Sequence, residues 1–411
     1  MSNQSQMQLT PAEQAVVAAA EALAGQDRDG AVRAGRLTAV NMLKSAGLPT
    51  RRQERWHYTD LRALVSEADI RSAQDAPDAD GPAFKMVNGR FVGVPAGSDT
   101  MDVHHGMQPI PAPTDPLDHV IKVLNSALLS DEIGLNFSGN HADHVALQIE
   151  TSAGAPSHGR MQVSVAEGAT AAIVIDQKLD AGSLGSFVMD MQLAAESRLT
   201  VVLMAEDDAA AKSLVNLGGS LGEKAILNII CLNTGAGFSR TELEFQARGD
   251  GSHIGLYGAH CLAGKQMADT TLIVDHQCLD STSEELFKYI GRDSSRGIFQ
   301  GRINVHPDAQ KTDAQMMANA LLLSDGAEFL SKPELEIFAD DVQCAHGCTA
   351  GELDEDQLFY LMSRGIPRPE AEKLLILSFV AGVFDEVEDE QLTETLQGRV
   401  TSWLDRQHGD G

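Results

Sequence analysis

The stretch FVMDMQLAAESRLTVVLM, residues 187–204, contains two short runs, each with one mainly apolar face, separated by the four residues AAES. Side chains of a β-strand point alternately to its two faces, so a run of this kind predicts a strand with one buried face. Both runs have the usual length of a strand. The stretch therefore predicts two consecutive β-strands.

About ten runs of this kind occur in the middle of the chain, and many are separated by Gly, Ser, Asp or Asn. They begin at residues 145, 161, 171, 187, 198, 225, 241, 253, 270 and 297. A sandwich or barrel normally has fewer strands, and the absence of helical crossover patterns argues against a doubly wound sheet. Strands that follow one another at irregular spacing suit a solenoid, whose coils stack on their neighbours.

The segment before the strands is predicted to be helical. Thr10 and Glu13 form a capping box around Pro11, and a second helix is expected over residues 31–46, ended by Gly47. A linker rich in Asp, Ala and Pro follows from Asp69 to Pro82. We therefore assign residues 1–82 to an N-terminal helical domain with its linker, and residues 83–349 to a β-solenoid core.

Residues 350–411 are predicted to form a C-terminal helical domain. Asp354 can cap its first helix, and a second helix is expected from about Pro369. A third helix has apolar residues at helical spacing, namely Leu392, Leu396, Val400, Trp403 and Leu404. Stripes of this kind usually pack on the chain's own core, although a partner's groove is an alternative.

The composition excludes several classes of protein. The formal net charge of −28 opposes nucleic acid, and no basic patch offsets it. The longest apolar segment, residues 374–384, is too short to span a bilayer, and the N-terminus has no signal-peptide pattern. Five cysteines do not indicate a secreted disulfide framework. These features predict a cytoplasmic protein with reduced thiols and no nucleic-acid or membrane partner.

Nucleotide-binding motifs are not convincing in this sequence. The segment Gly258–Gln266 has one residue too many between its glycines for a phosphate loop, and Gln266 stands where Ser or Thr should follow the lysine. His276 and Cys278 end a predicted strand on the same face, and we consider them an additional candidate site.

The densest group of potential ligands is Cys344, His346 and Cys348, within the sequence DDVQCAHGCTAGELDE. Their alternate spacing would point all three side chains to one side of an extended backbone. Thiolate and imidazole bind zinc, copper and iron–sulfur clusters, but a closed zinc site needs a fourth ligand. Residue chemistry alone leaves open a metal site, a site completed by a second protein, and a buried thiol beside a capping histidine.

Two segments resemble a known family. The run from Phe287 to Ile366, FKYIGRDSSRGIFQGRINVHPDAQ and onward to LFYLMSRGI, closely resembles the SufB/SufD family of iron–sulfur cluster assembly proteins. Within that family, HGCTAGELDE is similar to the SufD pattern, whereas SufB-like chains usually have His-Glu-Ala at that place. The segment RWHYTDL, residues 55–61, is similar to the family's N-terminal signature.

The resemblance implies a right-handed parallel β-helix flanked by N- and C-terminal helical domains. It also implies a heterodimer with SufB through the β-helices and docking of the SufC ATPase on the C-terminal helices, so that ATP belongs to SufC. Under this interpretation the chain is a non-catalytic scaffold, and a homodimer is compatible with the isolated chain. The SufC-docking residues would be Leu358, Phe359, Leu361, Met362 and Arg364.

The resemblance further implies that a transient Fe–S cluster forms at the SufB interface, with His346 and Cys344 as its metal ligands in this chain. Cys348 and His276 are additional candidates. Cys348 departs from the family pattern, where a small residue is common, and it could add a ligand, form a disulfide with Cys344, or be a spare thiol. The sequence does not decide whether a flavin binds. The rival functions are a self-contained Cys/His metalloprotein or redox enzyme and a SufB-like sulfur acceptor.

Overall fold

The structure, a computed structural model, describes residues 8–70, 83–108 and 115–409, and it consists of a long β-solenoid with helices on two of its faces. Residues 71–82, which make up most of the predicted linker, lie outside the described residues. The β-strands, in chain order, are β1 Lys85–Val87, β2 Arg90–Val92, β3 Met101–His105, β4 Asp131–Phe137, β5 Val145–Glu150, β6 Ser157–Val165, β7 Thr170–Lys178, β8 Leu184–Leu193, β9 Arg198–Ala205, β10 Lys212–Leu221, β11 Ile226–Asn233, β12 Phe238–Ala247, β13 His253–Leu262, β14 Met267–His276, β15 Thr282–Gly291, β16 Arg296–Val305, β17 Asp313–Leu322, β18 Glu328–Ile337 and β19 Gln343–Gly351.

Successive strands of the solenoid alternate between two parallel sheets. Sheet A contains the odd-numbered strands from β5 to β19, and sheet B contains the even-numbered strands from β4 to β18. Two strands make one turn, so the solenoid has about eight turns. This arrangement confirms the predicted parallel solenoid, while the right-handed winding stays a prediction.

Rows of aligned apolar side chains fill the interior between the sheets. Leu217, Leu243 and Leu272 occupy one register position on β10, β12 and β14, and all three are buried in the core. Unequal numbers of residues separate the three leucines, which explains why no fixed repeat is visible in the sequence.

The N-terminal helices cover the outer face of sheet B. They are α1 Pro11–Gln26, α2 Gly30–Ala46, α3 Leu61–Leu64 and α4 Val120–Leu128, with 3-10 turns at Glu54–Trp56 and Glu67–Asp69. The Thr10 capping box and the end of α2 at Gly47 are confirmed. Helix α4, which was not predicted, packs with these helices against β8 and β10.

Trp56 attaches the N-terminal segment to the solenoid. Its ring is fully buried, and the central carbon of the Arg240 guanidinium lies 3.7 Å from the ring centroid. Arg240 lies in β12, pairs with Asp269 at 2.6 Å and donates a hydrogen bond to the carbonyl oxygen of Arg55 at 2.7 Å. A buried cation held by an aromatic face and a carboxylate gives this segment a fixed position.

The C-terminal helices cover the outer face of sheet A. They are α5 Glu355–Ser363, α6 Arg368–Ala381 and α7 Glu390–Gly409, with a 3-10 turn at Gly382–Phe384. The predicted apolar stripe of α7 is confirmed as a packing surface, because Leu396, Val400 and Trp403 are buried against sheet A. Among the described helices, none is both long and apolar enough to cross a membrane.

Candidate functional site

Cys344, His346 and Cys348 lie on β19, the last strand of sheet A. In the parallel ladder they align with Ala314, Met316 and Ala318 of β17, which are buried in the core. Aligned residues of neighbouring strands point to the same face, so the three side chains point toward the solenoid interior. The expectation that they share one strand face is therefore confirmed.

These three side chains are accessible because the solenoid ends at β19. In the described part of the chain, β19 has a paired neighbour on one side only. Cys344 and Cys348 are half-buried against the core, and His346 is exposed. The site is therefore the open end of an otherwise filled interior.

The backbone of β19 also has unused hydrogen-bonding groups. The amide of Gln343 donates to the carbonyl oxygen of Thr312 at 2.8 Å. In a parallel ladder, alternate residues bond to alternate sides. Cys344, His346 and Cys348 therefore direct their N–H and C=O groups to the free edge. The same residues present reactive side chains and a backbone that can accept another strand.

The two terminal strands differ in how their edges are protected. Strand β18 carries Pro333 and the charged residues Lys332, Glu334 and Glu336, whereas residues 343–351 of β19 contain neither a charge nor a proline. Proline and charges are common devices that stop an edge strand from pairing. Strand β19 lacks both devices and is thus the edge suited to a partner.

Both thiols of β19 are held in their protonated form. Burial raises the pKa of Cys344 and of Cys348, while a hydrogen bond with Ser331 partly lowers that of Cys348. A metal ion must displace the thiol proton to bind, so each cysteine needs a strong positive charge nearby before it becomes a ligand.

The three residues do not form a closed metal site by themselves. Side chains at alternate positions of a strand are about 7 Å apart, too far for one ion to join all three. Across the described residues, no group of three His, Cys, Asp or Glu side chains is placed to hold a metal ion. Cys344 and Cys348 are about 13 Å apart along the strand. The disulfide between them that the sequence left open is therefore wrong, because the Cα atoms of a disulfide lie within about 7 Å.

His276 lies elsewhere in the interior. It ends β14, is fully buried, and its ring nitrogens lie 2.8 Å from Ser281 Oγ and 3.1 Å from Ser283 Oγ. Burial lowers the pKa of His276 to about 4, so the ring is neutral. The neighbouring Cys278 lies beyond the strand, and its thiol donates to the carbonyl oxygen of Gly249 at 3.1 Å. The structure does not bring either residue to β19.

Glu285 is a functional candidate that the sequence interpretation missed. It lies on β15 in the interior row that continues through Met316 to His346. Its side chain is fully buried, and neither carboxylate oxygen has a hydrogen-bond partner in the described structure. Burial raises its pKa to about 8. Its alternation with Ser283, Phe287 and Tyr289 was the available signal, since these residues share one strand face.

The predicted docking residues of α5 fall into two groups. Phe359 and Met362 are exposed, Phe359 to 74%, and Tyr360 extends their surface. The guanidinium of Arg364 lies 5.2 Å from the Tyr360 ring centroid, and Leu361 is half-buried. Leu358 is fully buried. Its assignment as a contact residue is corrected, because it packs α5 onto the fold and cannot touch a partner.

The segment that faintly resembled a phosphate loop is built differently. Residues 258–262 belong to β13 and are buried, and only the following turn reaches Lys265. A phosphate loop needs free backbone amides ahead of a helix, and no helix follows here. The exclusion of this motif agrees with the structure.

Comparison with known proteins identifies the family. A profile described as "SUF system FeS cluster assembly, SufBD core domain" matches residues 148–379. The iron–sulfur cluster assembly protein SufD of Escherichia coli is 28% identical over 88% of this chain and 90% of its own length. The SufBD family protein slr0076 of Synechocystis is 34% identical over 44% of this chain and 39% of its own length.

A further relative is the SufD protein of Bacillus subtilis, which is 36% identical over 32% of this chain and 30% of its own length. The family profile covers more than half of the chain, including most of the solenoid and the three site residues. The chain therefore belongs to the SufBD family of the SUF iron–sulfur cluster assembly system and is of the SufD type.

Proposed function

We propose that this chain is a non-catalytic SufD-type scaffold that pairs with SufB through β19 and contributes His346 and Cys344 to a cluster formed between the two subunits. The observation that carries the proposal is the position of both residues on the inner face of the last, unpaired strand. A cluster assembled there would draw ligands from both chains.

The geometry of the edge supports a shared site. Because β19 offers free N–H and C=O groups, a strand of SufB can extend sheet A, as in other strand-addition complexes. The added strand would place its own inward-facing side chains about 5 Å from His346 and Cys344. Side chains of the added strand at that distance would supply the ligands that β19 lacks on its own.

The chemistry of the residues fits a transient cluster. A neutral imidazole donates its lone pair to iron, and a thiolate binds iron or bridges two iron ions once its proton has left. Cys344 holds its proton tightly in the free chain, since burial raises its pKa. Iron is therefore bound only when the partner's residues complete the site.

We assign SufC docking to the exposed surface of α5 around Phe359, Tyr360 and Met362. Three large apolar side chains exposed within one short helix are unusual for a surface that stays in water. Arg364 and the acidic residues of the first turn, Glu355 and Asp356, surround this surface with charge. ATP hydrolysis would then take place on SufC and not on this chain.

The first experiment separates pairing from cluster chemistry. Purified full-length chain is combined with SufB and SufC, and bound iron and sulfide are measured after reconstitution. We expect His346→Ala to leave SufB capture unchanged and to lower retained cluster by about tenfold or more. The matched control is His104→Ala, an exposed histidine on β3 at the other end of the solenoid. Cluster retention equal to that of the control would contradict the role of His346.

The second experiment tests the edge. Ala345→Lys places a charge on the outer face of β19, and we expect it to weaken SufB capture strongly. Gln315→Lys is its control, because Gln315 occupies the same register position one strand further in and is also exposed. Equal SufB binding by both variants would reject pairing through β19. Stoichiometric iron on the chain without SufB would instead favour a self-contained metalloprotein.

A further inference from the structure

Cys348 is a third potential ligand at the open end of the solenoid, and the proposed function does not use it. It aligns with the buried Ala318 of β17, so its side chain points inward on the same strand face as those of Cys344 and His346. It is half-buried, and β19 has no paired neighbour beyond it among the described strands. The thiol is therefore accessible from the free edge of β19.

The spacing of the three side chains suits a cluster of several irons and not a single ion. Two ligands of one ion are at most about 4.6 Å apart, twice a metal–sulfur distance of about 2.3 Å. Ligands of two neighbouring irons in one cluster can be about 7 Å apart, because the separation of the irons is added to the two bonds. Alternate side chains of a strand are also about 7 Å apart. Each alternate pair on β19 can therefore bind two irons of the same cluster.

His346 belongs to two such pairs. Cys344 and His346 form the first pair, and His346 and Cys348 form the second. The two thiols are about 13 Å apart along the strand, which is too far for one cluster to join both. The imidazole is therefore common to the two pairs, and a cluster uses one thiol at a time.

Ser331 of β18 contacts Cys348 across the open end. It aligns with the buried Phe299 of β16, so its hydroxyl points inward from the opposite sheet. The hydroxyl hydrogen-bonds to the Cys348 sulfur. A hydrogen bond to a charged acceptor is stronger than one to a neutral acceptor, so Ser331 favours the thiolate that binds iron.

The two thiols have different electrostatic surroundings. Two acidic side chains, Asp313 and Glu285, lie near enough to affect the Cys344 sulfur. Among the described residues, no acidic side chain affects the Cys348 sulfur in this way, and Ser331 donates to it. Hydrogen-bond donors and the absence of nearby negative charge favour the reduced, more negative form of a cluster. The second pair should therefore hold a cluster at a higher reduction potential than the first pair.

We propose that Cys348 is a second sulfur ligand of this chain, and that a cluster at the SufB interface is held either by Cys344 with His346 or by His346 with Cys348. As iron binds, the S–H bond of Cys348 breaks, an Fe–S bond forms and the proton passes to solvent. The inference rests on the proposed function, because the cluster also needs the ligands that SufB supplies. It predicts that the chain still binds a cluster when either thiol is removed alone.

The test reconstitutes a cluster on the full-length chain in complex with SufB and SufC, and measures bound iron, sulfide and the visible spectrum. Cys344→Ala and Cys348→Ala, each alone, are expected to keep most of the wild-type cluster, because one pair remains. The variant with both changes is expected to lose about tenfold or more. Thr349→Ala, an exposed residue on the outer face of β19, is the control and should behave as the wild type.

The reduction potential of the reconstituted cluster separates iron binding from a structural effect. It is expected to be higher in Cys344→Ala, where the second pair holds the cluster, than in Cys348→Ala. Adding Ser331→Ala is expected to lower the potential in the Cys344→Ala background and to leave it unchanged in the Cys348→Ala background.

Two results would overturn the inference. Equal cluster loss in Cys344→Ala and in the variant with both changes would show that Cys348 binds no iron. Equal reduction potentials in the two single variants would reject two distinct pairs. SufB capture is measured in parallel, so cluster loss in Cys344→Ala with intact capture leaves the proposed function standing, whereas a full cluster on His346→Ala would contradict that function itself.

Discussion

Replacing Glu285 by Gln should remove a strong pH dependence from the stability of the solenoid. Glu285 is fully buried, its strand neighbours Leu256 and Met316 are apolar, and Ser283 on the same strand offsets only part of the effect of burial on its pKa. On β19, His346 continues the same interior row and the thiol of Cys344 is near enough to be affected by the Glu285 charge, and exposed Glu284 adjoins Glu285 on β15. Desolvation disfavours the carboxylate, so the folded protein keeps the neutral acid until the pH approaches 8.

The magnitude follows from the difference between the folded and unfolded states. The pKa of Glu285 rises from 4.5 to about 8 on folding. Between these values the folded state binds one more proton than the unfolded state, so stability falls as the pH rises. The slope is about 1.4 kcal/mol per pH unit, and the fall between pH 6 and pH 9 amounts to about 3 kcal/mol. At pH below 4.5 the penalty is absent, because both states are protonated.

Urea unfolding of the wild type, Glu285→Gln and Glu284→Gln at pH 6 and pH 9 measures this effect. Between the two pH values, the wild type should lose about 3 kcal/mol more than Glu285→Gln, since the amide does not ionise. Glu284→Gln changes the exposed face of the same strand and should follow the wild type. Parallel pH profiles for the wild type and Glu285→Gln would refute a buried neutral acid at this position.

Two further predictions concern the segments that pack on the outside of the solenoid. Trp56→Ala should lower the free energy of unfolding, measured by urea titration, by about 3–5 kcal/mol, because it leaves a cavity beside Arg240. The control is His57→Ala at the exposed neighbouring residue, which should change the free energy of unfolding by less than about 0.5 kcal/mol. Phe359→Ala should leave the free energy of unfolding within about 0.5 kcal/mol of the wild type and weaken SufC binding, measured by calorimetry, by about 2 kcal/mol. Leu358→Ala should instead lower the free energy of unfolding by about 2–5 kcal/mol, because Leu358 is fully buried. Equal SufC binding by the wild type and Phe359→Ala would contradict the docking assignment.

Alternation in the sequence was sufficient to predict the solenoid, because many of its strands carry large apolar residues on the inward face. Strand β9 is such a case, with Leu199, Val201 and Leu203 in the core. Strand β17 was not recognised, since its inward residues include Ala314, Ala318 and Ala320, and alanine inside a strand gives little contrast with the outer face. Small inward residues do not explain every missed strand, because β4 and β10 were also missed although Ile133, Leu135 and Leu217 lie in the core.

The site was predictable in part for a related reason. Alternate spacing on an extended backbone places Cys344, His346 and Cys348 on one face whatever the fold around them. That this face lies at an open end depends on the order of strands within sheet A, which local patterns do not contain. Leu358 shows the same limit, because the spacing of apolar residues on α5 could not decide which of them faces the fold and which faces solvent.

The two ends of the solenoid differ in the length and protection of their edge strands. At the N-terminal end, sheet A finishes with the three-residue strand β2 and sheet B with the five-residue strand β3, both antiparallel to their neighbours. Short antiparallel strands give an edge little length on which another chain could pair. At the C-terminal end, β19 is nine residues long and carries no charge, no proline and no cover among the described residues. The N-terminal end lacks a long edge of this kind, so the thiols and imidazole of β19 lie at the end of the solenoid that we propose for pairing with SufB.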